Sequence, residues 1–200
     1  MKKSDNNVVN LFEQSGEGVL KSVIANSMSL KRGGTLIEPV LAYETWGKLS
    51  TKKDNVIVIL TGLSASSHVA SSLSDSNPGW WEGMVGPDKA IDTNTFYVIC
   101  INSLGSCFGS TGPASINQIT GEPFRLTFPE LTIDDMASAT KLLLDKLGIH
   151  EINTLIGPSM GGMHGLALII QNNKFVRNFV AISTAFQSLP YAIAIRSLQR

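Results

Sequence analysis

The residues best suited to chemistry are Gly157, Pro158, Ser159, Met160 and Gly161, which match the G-x-S-x-G pattern of a serine nucleophile carried on a sharp turn. The string alone is weak evidence, because short glycine patterns recur by chance. Its surroundings give it weight. Residues 152–156 read as a short strand, residues 157–163 as a tight glycine-rich turn, and residues 165–171 as an apolar helix. A strand-to-helix turn strains the serine backbone, and Gly157, Gly161 and Gly162 leave room for close approach. The first amides of the helix then point at any oxyanion developing beside Ser159. The bland alternative is a glycine-rich turn with an incidental serine.

A serine hydroxyl is a poor nucleophile without a base. The chain has three histidines, His68, His150 and His164. His150 follows the end of a predicted helix and reads as a surface residue. His164 lies on the outgoing helix, whose geometry carries it away from the turn. His68, in the loop after a predicted strand at 56–60, can approach the site. The usual chain order on such a scaffold is nucleophile, acid, histidine. No histidine follows His164, and no Asp or Glu follows Glu151. The expected acid and base are thus missing from these residues, and the chain alone is expected to be inactive or nearly so. The loop at Leu60-Thr61-Gly62 is placed to donate a second oxyanion amide beside that of Met160. An ordinary strand-ending turn is the equal alternative there.

These residues need a scaffold. Residues 36–46 read as strand, with Pro39 favouring an edge or a bulge. Residues 56–60 and 96–101 are apolar runs of the buried parallel kind. Ser, Gly, Pro and Asp are frequent in residues 63–94, and residues 102–130 form a long Gly/Ser/Pro-rich stretch. Residues 132–147 are the clearest helix, with Ile133, Met136, Ala137, Thr140, Leu144 and Leu147 on one face. Thr132 can cap it, Asp134 and Asp135 suit its first turn, and Gly148 can stop it. A strand at 176–183 and a helix at 191–200 follow. Strands alternating with helices predict an α/β fold with a mostly parallel sheet. The polar residues 1–15 read as a mobile segment and residues 16–200 as one core. The chain stops at Arg200 inside a predicted helix, without a glycine or proline. That reads as a core cut short of its later strands, with an unpaired edge expected at strand 176–183.

Composition excludes several classes. Lys+Arg and Asp+Glu are 16 each, so no basic excess invites nucleic acid. Cys100 and Cys107 make neither a zinc pattern nor a disulfide framework, and no metal site is expected. Cys100, in an apolar run, reads as a buried thiol. Polar residues follow Met1-Lys2-Lys3 where a secretory signal needs an apolar stretch. The apolar runs are strand-sized, so no membrane span is expected and the protein is expected to be soluble and cytoplasmic.

The chain resembles the homoserine O-acyltransferase family, a branch of the α/β-hydrolase fold. The matching segments are 42–47, 60–62 with His68 downstream, 79–81, 84–87, 92–93, 111–117 and 157–163. The resemblance implies an acyl-CoA co-substrate, no bound cofactor, and an acyl group passed through Ser159 to the hydroxyl of L-serine or L-homoserine. Leu60 and Met160 would hold the oxyanion through backbone N–H groups. The family's catalytic Asp and His, and an amino-acid-binding Arg, lie in a C-terminal region with no counterpart here. Many acetyl-transferring members have Gly-Gly-Ser at the elbow where this chain has Gly157-Pro158-Ser159. With Gly62, Leu63, Ser64 and Ala65, implied to contact substrate, and with residues 106–110, it looks more like members that use succinyl-CoA. A succinyl carboxylate needs a cation, for which Arg196 is the candidate; a solvated surface arginine is the alternative. The resemblance also implies a homodimer for full-length members. An esterase, a homoserine O-acetyltransferase and an inactive fragment are the competing readings.

Overall fold

The computed structural model describes residues 17–198; the predicted mobile segment at 1–15 lies outside them. The strands are β1 (Lys21–Ile24), β2 (Met28–Ser29), β3 (Thr35–Leu36), β4 (Val40–Trp46), β5 (Val56–Leu60), β6 (Val85–Gly86), β7 (Ile91–Asp92), β8 (Tyr97–Ile101), β9 (Ile152–Pro158) and β10 (Val176–Ile182). The helices are α1 (Ile133–Lys146), α2 (Met160–Gln171) and α3 (Pro190–Leu198). The main sheet runs β1-β4-β8-β5-β9-β10. Strands β8, β5, β9 and β10 are parallel, and β4 and β1 add antiparallel to one side. The expected mostly parallel α/β sheet is present.

The apolar runs become strands because both of their faces are covered. Val56, Val58 and Leu60 of β5 join the cluster under α1 and α2, with Leu143, Leu144 and Leu155. Ile57 and Ile59 point the other way, to Val69, Val85, Val98 and Cys100. Continuous β-branched sequence suits a strand buried on both sides. Cys100 is fully buried, as its sequence context suggests, and burial pushes its thiol well up.

Helix α1 is closed at both ends. Thr132 Oγ1 accepts from Asp135 N, and Asp135 accepts in return from Thr132 N at 2.8 Å, a reciprocal capping box. Gly148, at φ +64°, ends the helix, with Gly148 N donating to Asp145 O and Ile149 N to Leu144 O. The buried face of α1 is wider than the sequence stripe, taking in Ala139 and Leu143. Ile133 and Met136 are only half-buried.

Three expectations need correction. Pro39 does not mark an edge: it precedes β4, which lies between β1 and β8. Glu38, at φ +42°, breaks the run 36–46 into β3 and β4. The turn expected over 157–163 shrinks to Ser159, since β9 continues to Pro158 and α2 begins at Met160. Glycines 161 and 162 look like loop residues in sequence but are helical here, because tertiary packing outweighs their poor helix propensity. Strand β10 forms one edge of the described sheet, and α3 has no buried residue.

His164, on α2, is 1% exposed. Its Nε2 lies 3.0 Å from Thr140 Oγ1 on α1, and its Nδ1 has no partner. Burial holds its pKa down to about 4. The unfolded chain therefore takes up a proton near pH 6.5 that the folded chain refuses until about pH 4. Between those values the unfolded state binds more protons, so stability rises with pH and is lost as the pH falls from about 6.5 toward about 4. The loss across this window should approach about 3 kcal/mol. Urea unfolding at pH 7 and pH 4.5 measures it, and His164→Gln should flatten the slope.

Candidate active site

Ser159 is the only residue between β9 and α2. Its backbone sits at φ +53°, ψ −121°, a conformation an L-residue holds only under compulsion. The compulsion comes from both sides. Ser159 N donates to Ile182 O at 2.9 Å, and Ser159 O accepts from Thr184 Oγ1 at 2.7 Å and from Gly162 N at 3.0 Å. A Cβ on Gly157 would lie 2.4 Å from Gly161 O, and one on Gly161 would lie 2.2 Å from Leu60 O. The elbow thus needs glycine at both positions to bring α2 down onto the end of β5. Ser159 itself stays exposed.

The serine opens into a cavity of about 540 Å³, whose walls include Leu63, Ile133, Met160, Met163, Thr184 and Arg196. The cavity lies at the C-terminal ends of the parallel strands, where open α/β sheets place their ligands. Met160 is the first residue of α2, and amides in a helix's first turn lack intrahelical acceptors. Gly62 lies against the elbow, its Cβ direction 3.8 Å from Ser159 Cβ. Leu60 ends β5 and is buried, its carbonyl beneath Gly161. Leu63 is 81% exposed and borders the cavity. Ser64 and Ala65 line neither this cavity nor the one next to it. Arg196 reaches the cavity from α3 and makes no ion pair among the described residues.

Among the described residues, none of the three histidines and no carboxylate lines the Ser159 cavity. His164 faces α1, and His150 is a surface side chain, 79% exposed, 3.9 Å from Asp145. His68 is turned away into a clasp that sequence reading missed. Its Nδ1 lies 2.8 Å from Glu44 Oε2 and its Nε2 2.8 Å from Asn77 O. Both partners are acceptors, so the ring is best satisfied as an imidazolium donating twice. Burial opposes that charge more than any other single effect. The Asn77 carbonyl and Glu44 together outweigh it, and the net shift is upward. Glu44 also accepts from Ser67 Oγ at 2.8 Å, while Ser67 N donates to Asn102 Oδ1 at 2.6 Å. Further along, Glu82 accepts from Ser71 N, Gly79 N and Ser71 Oγ at 2.7, 3.0 and 2.8 Å. The Ser71 amide leads the effects that hold its carboxyl down to about 2. These contacts tether the loop that follows Gly62. The available signal was Glu44 itself, a carboxylate inside the largely apolar run of β4.

Among the described residues no group of three His, Cys, Asp or Glu side chains is arranged to hold a metal ion. No helix among them is long and apolar enough to cross a membrane.

Comparison with known proteins agrees with this geometry. The family model for the alpha/beta hydrolase fold matches residues 55–200. A serine O-succinyltransferase of Frateuria aurantia is 58% identical over 172 residues, covering 86% of this chain and 47% of the relative. The crystal structure of esterase E22 superposes with a TM-score of 0.81 at 34% identity, covering 90% of this chain and 51% of that one. A homoserine O-acetyltransferase from Bacillus anthracis superposes with a TM-score of 0.79 at 33% identity, covering 86% and 48%. The chain spans about half the length of the curated relatives it matches. With a serine on a strained strand-to-helix elbow, at the rim of a mostly parallel sheet, the chain belongs to the α/β-hydrolase fold family.

Proposed function

We propose that this chain carries the nucleophile and oxyanion elements of an acyl-CoA-dependent O-acyltransferase acting on L-serine or L-homoserine, with succinyl-CoA as donor. One observation carries the reading: Ser159 and Arg196 line the same cavity, which among the described residues no carboxylate lines. Ser159 Oγ attacks the thioester carbonyl, the C–S bond breaks, and the CoA thiol leaves with a proton. The amino-acid hydroxyl then attacks the acyl-Ser159 ester and regenerates the serine. Amides at Met160 and at the end of β5 are suited to the oxyanion of each tetrahedral intermediate. The Arg196 guanidinium matches the succinyl carboxylate in charge and in its forked donor geometry.

A second reading, hydrolysis with water as acceptor, is favoured by the likeness to esterase E22. The two share every step up to acyl-Ser159 and differ in how that ester partitions. The test uses a chimera in which this chain replaces the matching segment of the Frateuria aurantia relative. Succinyl-CoA should acylate it, and serine or homoserine should outcompete water for the acyl group. Losing a charge-assisted hydrogen bond typically costs about 1.5–3 kcal/mol. Arg196→Ala should therefore weaken succinyl-CoA use by about ten- to a hundredfold and acetyl-CoA use much less. Equal losses with both donors would remove Arg196 from substrate recognition.

A further inference from the structure

Strand β10 runs in register beside β9, with Ala181 opposite Gly157 and Ile182 opposite Pro158. The next bond along the pair is Ser159 N to Ile182 O, at 2.9 Å. There the strand ends. Ser183 takes φ +47°, a left-handed turn that a residue other than glycine holds only when its surroundings fix it. Beyond the turn, Thr184 lies against the elbow, and its Oγ1 donates to Ser159 O at 2.7 Å. Residues 182–184 thus hold both backbone polar groups of the serine.

Gly162 keeps the space that this contact needs. A Cβ there would lie 2.4 Å from Thr184 Cγ2, 2.5 Å from Thr184 Cβ and 2.6 Å from Thr184 Oγ1. Gly162 N is a second donor to Ser159 O, at 3.0 Å. The carbonyl therefore keeps a partner even without the threonine hydroxyl, so satisfying that oxygen is not what the hydroxyl is needed for. What the hydroxyl adds is direction. A residue whose N–H and C=O are both held has its Cα frame fixed, and with it the bearing of its Cα–Cβ bond.

We propose that Thr184 is a positioning residue for the nucleophile: its hydroxyl holds the Ser159 carbonyl and so aims the Ser159 side chain into its cavity. The proposal rests on the reading of Ser159 as the nucleophile and not on the identity of the acyl donor. Thr184 lines the same cavity. A hydroxyl has one proton to donate, and this one is committed to Ser159 O, so Thr184 acts on the substrate through the serine.

The test compares Thr184→Val, which keeps the shape and removes the hydroxyl, with Thr184→Ser, which keeps the hydroxyl. In the chimera, Thr184→Val should slow acylation of Ser159 by at least about threefold, the effect of one neutral hydrogen bond. The loss should reach about a hundredfold if the reacting oxygen moves by about 1 Å. KM for the donor should stay the same. The loss should be equal with succinyl-CoA and with p-nitrophenyl acetate, because the hydroxyl acts on the serine. Thr184→Ser should restore the rate. Gly162→Ala, which crowds Thr184 off the carbonyl, should repeat the loss. Amide hydrogen exchange of the purified chain reads the contact without any chemistry. Thr184→Val should speed exchange at Ser159 N–H by about three- to tenfold and leave the centre of β5 unchanged.

An unchanged acylation rate or an unchanged Ser159 exchange rate in Thr184→Val would overturn the proposal. A loss confined to KM or to one donor would make Thr184 a substrate contact and overturn it too. So would a rate that falls only together with the urea midpoint, or that Thr184→Ser fails to restore. Each of these leaves Ser159 as the nucleophile. An unaltered chimera that neither donor acylates at Ser159 would instead overturn the nucleophile reading, and the role of Thr184 with it.

Discussion

Gly161→Ala should cost the protein at least about 3 kcal/mol, beyond the usual penalty for overpacking. The new Cβ would stand 2.2 Å from Leu60 O, 2.8 Å from Leu60 C and 2.9 Å from Thr61 O. All three are backbone atoms of the central strand and its exit, so no side chain can rotate to relieve the clash. Either α2 lifts off β5 or β5 shifts within the sheet, and both disturb Ser159. Against a typical total stability of about 5–15 kcal/mol, such a loss removes much of the folded population. Gly83→Ala is the matched control, because nothing lies within 4 Å of its Cβ position. It should move stability by less than about 0.5 kcal/mol. Urea unfolding of both variants decides the matter, and equal midpoints would mean that the elbow is looser than its geometry shows.

Glu44→Ala should cost about 2–4 kcal/mol, because it leaves the buried Ser67 hydroxyl and the half-buried His68 Nδ1 without their shared acceptor. Glu44 is 5% exposed, and it satisfies both His68 Nδ1 and the Ser67 hydroxyl. The charges and titratable groups around this pair are Asp75 near His68, and Lys21 and Cys100 near Glu44. The folded chain holds the His68 proton to higher pH than the unfolded chain does. The charged pair therefore contributes fully below the ordinary histidine value of 6.5 and fades as pH rises through the raised one. The gap in stability between the unaltered protein and Glu44→Ala should narrow from pH 6 toward pH 9. His164 acts in the opposite sense, so Glu44→Ala should also show its acid loss more steeply. A gap that stays constant with pH would mean that His68 is neutral in the clasp.

The elbow was legible in the sequence because its physics is local. A strand that needs burial, a serine that needs small neighbours and a helix that needs a start all fall within residues 152–171. The α1 boundaries were legible for the same reason: Thr132, Asp135 and Gly148 act on amides and carbonyls within a few residues of themselves. Strand β1 was not legible. It is four residues long, and Ile24 at its end is 61% exposed, so no apolar run announces it. Its place is set by pairing with β4, a contact between segments far apart in the chain. The clasp was hidden in the same way. Glu44 signals a buried charge, but its partners at 67 and 68 come to it only when β4 and β5 share a sheet. Arg196 was read from the chemistry of its guanidinium. That α3 brings it to the cavity of Ser159 is a fact of the tertiary fold.

The central claim is that Ser159 carries the acyl group. Intact-protein and peptide mass spectrometry of the chimera after mixing with succinyl-CoA tests it most directly. The expected result is one added succinyl group on the peptide that contains Ser159, absent from Ser159→Ala and discharged by serine or homoserine. An adduct that persists on Ser159→Ala, or that maps to a different side chain, would contradict it.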